Sequence, residues 1–437
     1  MTGMNVIANP RYGCALQGAL QTVQAVKGAV PIIHANAGCS VQNYLAGQAG
    51  GVAGGDITGF SVPCTNLQER HIVFGGASRL REQIKNTVKV IQGELYVVLG
   101  GCASAMIGDD IRAMAKEAAD QGNPVIACQI PGFKGNGFAG YEAVVTDILK
   151  NQSVITKGKV PKEPALVNIF GIVPGRDICY RGDLEEIRRI LNGVGLKVHT
   201  FFGQAEGVKE FAEASGASLN LVFSEWGRKP AQFLKETYGI PFLEYSGFPM
   251  GIGPVRKLIA EIGEQIVLDE EKTASFLEEE EKRFDFYMKS ILEDIYKESV
   301  GVRIALAGDA GSVLRMEAFL KEYLNVPPQT MILTDAGEEA TEQEKTTAVT
   351  CDDDEIKSIL QNSGADMVIG SSLEEDTASE LGAVSMPVFF PVYDRCILDK
   401  TYLGMRGALR FAEDYLTKCK ELRRQRESRI LEEIRNA

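Results

Sequence analysis

Short apolar runs alternate with longer amphipathic stretches along almost the whole chain. In the first third, residues 30–34, 95–99 and 125–129 read as buried strands, being continuous apolar runs rich in β-branched side chains. Residues 79–92 and 110–121 carry the helical period between them, and the Gly-rich residues 46–60 predict a loop. A polar, proline-containing break falls at 151–164. The order then repeats, with strands expected at 165–170, 197–202, 219–223 and 241–245 and helices at 182–191, 207–214, 230–238 and 253–265. Residues 268–298 form a long charge-rich helical stretch, expected as a solvated connector. A third unit places strands at 302–309, 331–333, 367–370 and 388–391 before a helix at 405–416. Short strands separated by helices mean parallel βαβ units. The expected fold is α/β: three Rossmann-like, doubly wound parallel-sheet domains in series, spanning 1–160, 161–300 and 301–437. Such sheets bind ligands beyond the carboxyl ends of their strands.

Composition narrows the function. The 437 residues are 45% hydrophobic and 24% charged, ordinary for a globular chain. A net charge of −13 implies no basic face and argues against nucleic acid as a partner. No apolar run approaches a bilayer span, and Met1-Thr2-Gly3-Met4-Asn5 opens no signal peptide, so no membrane association and a cytoplasmic location are expected. Nine cysteines in such a chain are not a disulfide framework, and no close C-x-x-C pairs suggest zinc.

Three cysteines stand beside glycine at the mouths of strand-like runs: Tyr12-Gly13-Cys14, Ala37-Gly38-Cys39 and Gly100-Gly101-Cys102. Glycine lets the backbone approach a bulky inorganic core, and thiolates supply soft anionic ligands, so this set is what an iron–sulfur cluster requires. Cys64, in Ser61-Val62-Pro63-Cys64-Thr65-Asn66, is either a fourth metal ligand or a nearby free thiol; it lacks the glycine clearance, which favours the free thiol. Most of Cys128, Cys179, Cys351, Cys396 and Cys419 are expected as buried small hydrophobes. Ala307-Gly308-Asp309-Ala310-Gly311-Ser312 has the form of a phosphate-binding turn, but domain-closing turns look the same and are the better reading. No G-x-x-x-x-G-K-[ST] occurs, so the chain is not expected to hydrolyse ATP itself. Among the three histidines, none has zinc-site spacing; His34 is expected as a strand-end histidine bonded to backbone, and Asp109 and Asp110 as helix caps. The single tryptophan, Trp226, fits either a core or an interface.

These residues resemble the nitrogenase component 1 family, over nearly the whole chain. His34-Ala35-Asn36-Ala37-Gly38-Cys39 is similar to the family's H-G-x-x-G-C corner, with alanine for the first glycine. Thr65-Asn66-Leu67-Gln68-Glu69-Arg70-His71-Ile72-Val73-Phe74-Gly75-Gly76 resembles its T-x-x-x-E-x-D-x-V-F-G-G stretch, and Cys102 with Ile107-Gly108-Asp109-Asp110-Ile111 its third cysteine and I-G-D-D signature. Gly370-Ser371-Ser372, Phe390-Pro391-Val392-Tyr393-Asp394-Arg395 and Leu403-Gly404-Met405-Arg406-Gly407-Ala408 are similar to motifs of the beta-type branch.

The resemblance implies that Cys14, Cys39 and Cys102 bind an iron–sulfur cluster, 4Fe-4S or P-cluster-like, where two subunits meet. The implied partner is an alpha-type component 1 subunit, in a heterodimer or heterotetramer, or a second copy of this chain. Electrons would come from an ATP-dependent iron protein. Ser224 stands at the position that best matches the alpha-type cofactor cysteine, and no histidine follows His199, so the chain is not expected to anchor a heterometal cofactor in that manner. The short stretch before Cys14 favours a nitrogenase-like protein over a dinitrogen-reducing one. Two functions follow: an oxidoreductase subunit relaying electrons to a partner-held active site, or a non-catalytic scaffold for assembly of a metallocofactor. No acid, base or nucleophile is assigned.

Overall fold

A computed structural model describes residues 9–49, 62–335 and 347–436. Among the described residues lie three sheets, all parallel. The first joins β1 (Ala29–His34), β2 (Leu95–Gly100) and β3 (Val125–Gln129) in that order. The second holds β4 (Leu166–Phe170), β5 (Lys197–His199), β6 (Leu219–Val222) and β7 (Phe242–Glu244), in the order β5-β4-β6-β7. The third holds β8 (Ile304–Gly308), β9 (Thr330–Leu333), β10 (Thr347–Val349), β11 (Met367–Gly370) and β12 (Val384–Pro387), in the order β10-β9-β8-β11-β12. The second and third sheets reverse direction beside their first strand, which is the doubly wound pattern. Parallel strands covered on both faces read as unbroken apolar runs, and every residue of β1, β2 and β8 is buried.

The first sheet also has a reversal, made by chain that is not a regular strand. The Ile33 amide donates to the Pro63 carbonyl at 2.8 Å, and Thr65 and Leu67 donate back to Ile33 and Ala35 at 3.0 and 2.9 Å. Residues 63–67 thus run along the free edge of β1, parallel to it through an Ile33–Cys64 bridge. The order becomes 2-1-3-4, so the switch point falls between β1 and β2. That crevice is where the fold rule places a ligand.

Contacts divide the chain into two compact units. Tyr12–Tyr245 with Gln265–Val267 forms one and carries the first two sheets; Ser246–Glu264 and the chain from Leu268 onward belong to the other, with the third. One parallel sheet falls in each of the spans 1–160, 161–300 and 301–437, and this three-part division is kept as a proposal for the domain organisation.

In the first unit the helices α1 (Ala15–Ala25), α2 (Ala37–Ala49), α3 (Glu69–Phe74), α4 (Ala77–Val90), α5 (Cys102–Ile107), α6 (Ile111–Asp120) and α7 (Gly137–Lys150) surround the first sheet. Leu80 and Ile84 of α4 and Ile111 and Ala115 of α6 pack on Val30, Ile32, Val98 and Ala127 in one core. α1 and α7 meet backbone to backbone. A Cβ on Gly18 would overlap the Gly137 carbonyl, and one on Gly140 would overlap the Ala15 carbonyl.

Several expectations need correction. Strand β12 ends at Pro387, and residues 388–391 are not a strand: the Val388 and Phe389 amides both donate to the Gly370 carbonyl, at 2.8 and 2.9 Å, which ends the ladder. The charge-rich stretch is one helix, Glu270–Ser299, but it is not solvated all round. Leu277, Phe284, Met288 and Ile295 are buried, and Ser299 accepts a hydrogen bond from Tyr415 of the helix Gly404–Asn436 at 3.0 Å. The Gly-rich stretch begins inside α2, whose last residues are 46–49; residues 50–60 lie outside the described residues. No helix among the described residues is long and apolar enough to cross a membrane.

The close helix crossing yields a stability prediction. Alanine at position 140 would gain about 1 kcal/mol in helix propensity. Its methyl would also strike backbone atoms of α1, which cannot rotate away, at a cost of about 1–3 kcal/mol. We expect Gly140→Ala to lower the midpoint of chemical denaturation; a raised midpoint would mean the crossing is looser than described.

Candidate cluster-binding site

β1 and β2 end side by side. The Gly101 amide donates to the His34 carbonyl at 3.1 Å and fixes the two strand ends. A Cβ on Gly101 would lie 2.8 Å from the Ala35 methyl, so only glycine passes between them unhindered. From β1 the chain enters α2, with Cys39 in its first turn; from β2 it enters α5, whose first residue is Cys102. Both thiols therefore stand at the switch point.

Cys14 reaches the same place by a different route. Among the described residues no strand precedes it, contrary to the expectation of a strand mouth. It is the N-cap of α1, entered through Gly13 at φ +62°, a conformation that disfavours side chains. The Ala15 amide donates to the Gly135 carbonyl at 2.9 Å, which ties the start of α1 to the loop after β3.

Gly132, in that loop, marks the convergence. A Cβ built there would lie 3.0 Å from Cys14 Sγ and 3.3 Å from Cys102 Sγ. Its amide donates to Cys102 Sγ at 3.1 Å. Burial pushes the Cys39 thiol up to about 11, and negative charge on Cys14, Cys102 and Cys64 adds to the rise, in that order. The other three sulfurs thus lie within Coulombic reach of Cys39, and all four are part-exposed.

Cys64 lies on the edge segment beside β1. Its Sγ is 3.5 Å from the Ala35 carbonyl and 3.6 Å from that of Asn36, and it accepts from the Asn66 amide at 3.4 Å. Its thiol is thus engaged by backbone. Cys128, Cys179 and Cys419 are buried, Cys351 partly so, and Cys396 is exposed.

His34 is held by side chains rather than backbone, which corrects the expectation. It is fully buried, with Nδ1 3.0 Å from Thr65 Oγ1 and Nε2 2.9 Å from Asp109 Oδ2. Burial drives its pKa down against the opposing pull of Asp109. Asp109 also accepts from the Gly76 amide at 2.9 Å, so it braces the strand end, and Asp110 alone caps α6 through the Ala113 amide. Trp226 is half-buried and stacks on Phe138 at 5.4 Å; Phe138 meets Tyr12 edge-on at 4.8 Å, behind Cys14. Ser224 donates to the Gly171 carbonyl at 2.8 Å and closes the corner between β6 and β4. In the third sheet, Asp309 accepts from the Ser312 amide at 2.9 Å and Asp335 from the Ala310 amide at 2.6 Å. Carboxylates thus take the amides a phosphate would need, which supports the reading of a closing turn.

Three features escaped the reading of the sequence. Gly132 is one. A stripe of buried glutamines on α1 is another: Gln17 donates to the Cys39 carbonyl at 3.0 Å, Gln21 accepts from Arg176 at 2.7 Å, and Gln24 accepts from Asn43 of α2 at 3.5 Å. Their i, i+4, i+7 spacing in an otherwise apolar helix was the available signal. Arg176 is the third, and no local pattern marks it.

Thiols gathered in one corner are the soft anionic donors that an iron–sulfur centre takes. Among the described residues, no three His, Cys, Asp or Glu could together hold one metal ion. A cluster spreads its thiolates over several irons. A cationic core would remove the mutual repulsion of the thiolates and deprotonate them outright. Gln17 Oε1 and Ser40 Oγ, in the same corner, find no partner among the described residues, so the site has polar capacity to spare.

The fold and site define an α/β protein with thiols gathered at the switch point of a parallel sheet. The comparisons narrow that class. The model of the family "Nitrogenase component 1 type Oxidoreductase" matches residues 14–420, and the chain belongs to that family. It is 23% identical to the nitrogenase vanadium-iron protein beta chain of Trichormus variabilis, over 92% of this chain and 91% of that one. It is 24% identical to the cofactor biosynthesis protein NifE of Clostridium pasteurianum, over 84% and 80%, and 25% identical to the molybdenum-iron protein alpha chain of Methanosarcina barkeri, over 58% and 47%. The chain spans about half the length of several such relatives. The solved structure of nitrogenase Cp1 at pH 6.5 has the same fold, with a TM-score of 0.81 at 19% identity, covering 96% of this chain and 95% of that one.

The pKa of Cys39 can be read out directly. With a thiol pKa near 11, little thiolate exists at pH 8, though that thiolate is more nucleophilic. In metal-free protein we expect alkylation of Cys39 at pH 8 on the order of tenfold slower than that of glutathione. An equal rate, followed by mass spectrometry, would contradict the burial of Cys39 and the closeness of its three neighbours.

Proposed function

We propose that this chain is a subunit of a nitrogenase-like oxidoreductase complex. In this reading Cys14, Cys39 and Cys102 hold an iron–sulfur cluster at an interface with a partner chain. Electrons pass from an ATP-dependent iron protein toward an active site held by the partner. The observation that carries the reading is the convergence of two sulfurs on the Gly132 position, with Cys39 in Coulombic reach. The elements that bring the thiols there also carry exposed apolar side chains: Val41 and Tyr44 on α2, Met106 on α5, and Phe133 beside Gly132. Val73 and Phe74 of α3, 68% and 87% exposed, extend the patch. Apolar surface gathered around half-open thiols favours a protein interface. The partner is an alpha-type component 1 chain or a second copy, and the complex is cytoplasmic.

When bound, the cluster would supply one-electron redox capacity. This chain's residues would orient and tune it. The Gly132 amide would donate to the Cys102 sulfur, and Gln17 would keep the Cys39 turn against α1. The α1 N-terminus, where Cys14 sits, favours negative charge.

A second reading, an assembly scaffold for a nitrogenase-type metallocofactor, is favoured by the similarity to NifE proteins over most of the chain. Anaerobic purification with iron analysis and electron paramagnetic resonance tests the shared part. Iron is expected in the wild type and lost in Cys102→Ala; iron unchanged in that variant would refute the ligand assignment. Cys64→Ala is expected to keep its iron, and loss there would make Cys64 a ligand. Gly132→Val should fold yet lose iron, because its side chain would fill the space between two sulfurs. Adding an iron protein, ATP and reductant to the co-expressed complex separates the two functions. Turnover supports the reductase, and transfer of the cluster to an acceptor protein supports the scaffold.

A further inference from the structure

Arg176 is buried directly behind Cys14. Its Nη2 donates to the Tyr12 carbonyl at 3.0 Å, and its Nη1 donates to Gln21 Oε1 and to the Gly175 carbonyl, both at 2.7 Å. Tyr12 stands two residues before Cys14, and Gln21 lies about two helical turns after it. The guanidinium therefore grips α1 on both sides of the thiol. The chain is cut back to admit it. A Cβ on Gly137 would overlap the guanidinium. Burial lowers the Arg176 pKa to about 10, with negative charge on Tyr12 and Cys14 opposing the fall, so the group stays charged at neutral pH. A guanidinium held there sets a positive charge within Coulombic reach of Cys14.

We propose that Arg176 is a positioning and charge-setting residue: a fixed cation beside Cys14 that raises the reduction potential of the cluster the thiols hold. This rests on the function proposed above. Reduction adds one electron, supplied by dithionite or by the iron protein, and breaks no bond. A fixed positive charge in a low-dielectric corner stabilises the added negative charge. Removing the cation shifts the equilibrium toward the oxidised form.

The test is an anaerobic redox titration of the purified complex, followed by electron paramagnetic resonance. For Arg176→Gln we expect the reduced-to-oxidised ratio at the wild-type midpoint to fall about tenfold, a drop of about 59 mV for a one-electron couple. Gln21→Glu keeps the shape of the side chain and sets a carboxylate on the guanidinium; its midpoint should fall too. Arg176→Lys keeps a cation at the site and its ratio should fall less than that of Arg176→Gln. Midpoints unmoved in Arg176→Gln and Gln21→Glu, at wild-type iron content, would overturn the proposal. So would equal falls in the lysine and glutamine variants, because shape rather than charge would then be responsible. If Arg176→Gln does not fold, Gln21→Glu decides. A wild type without iron would instead overturn the function on which the proposal rests.

Discussion

Thiols crowded into a half-buried corner repel one another as soon as they ionise, and the rest of this site is arranged around that repulsion. At Cys39 burial is the larger cause and the three neighbours add to it, together pushing the thiol up to about 11. A chain free to relax would move such groups apart. Here it cannot, because each sulfur is fixed by a different part of the scaffold. Cys39 and Cys102 follow adjacent strands locked by the bond from Gly101 to His34, and Cys14 caps a helix anchored on the loop after β3. The metal-free site is therefore preorganised, its thiols held close together before any metal arrives. That is the condition under which a cationic core binds with the largest gain.

Backbone clearance is what makes the crowding possible. Gly101 passes between the ends of β1 and β2, Gly18 and Gly140 let α1 and α7 touch, and Gly132 leaves the space where two sulfurs converge. These glycines come from four segments, and each omits a methyl at a point where another segment's atoms already stand. The crossing of α1 and α7 bears on function, because with the Ala15–Gly135 bond and the Arg176 contacts it sets how far Cys14 reaches. Core packing enters the chemistry here: a shift of one helix would take a ligand out of range while leaving the fold intact.

Much of this was legible from the sequence, for identifiable reasons. Parallel strands buried on both faces leave unbroken apolar runs, so most strands were evident from composition alone. The 388–391 segment was misplaced because the end of β12 is set by a shared acceptor, Gly370, on another strand. Cys39 and Cys102 stood out because Gly-Cys follows an apolar run. Cys14 stood out only as Gly-Cys, because its placement depends on a helix contact between residues far apart in sequence. Gly132 and Arg176 were not visible at all. A lone glycine and a lone arginine have no period, and their meaning lies in partners brought together by the fold. The glutamines of α1 were visible in principle. Three polar residues on a buried helical face ask for partners, and each has one.

The asymmetry of the site bears on why the chain would need a partner. Behind the thiols, Arg176, Gln21 and the Tyr12–Phe138–Trp226 stack fill the corner, and Arg176 is tied to Gln21 and to the Tyr12 carbonyl. In front, the sulfurs are part-exposed and the surrounding side chains are apolar. An exposed cluster would lose the control of potential that burial provides, and an exposed apolar rim is a liability to a lone chain. On the proposed reading a single event resolves both problems. A second chain that buries the rim also excludes water from the sulfurs, and any ligands it contributes meet thiolates already held in place. Association and cluster binding are then coupled, and each stabilises the other.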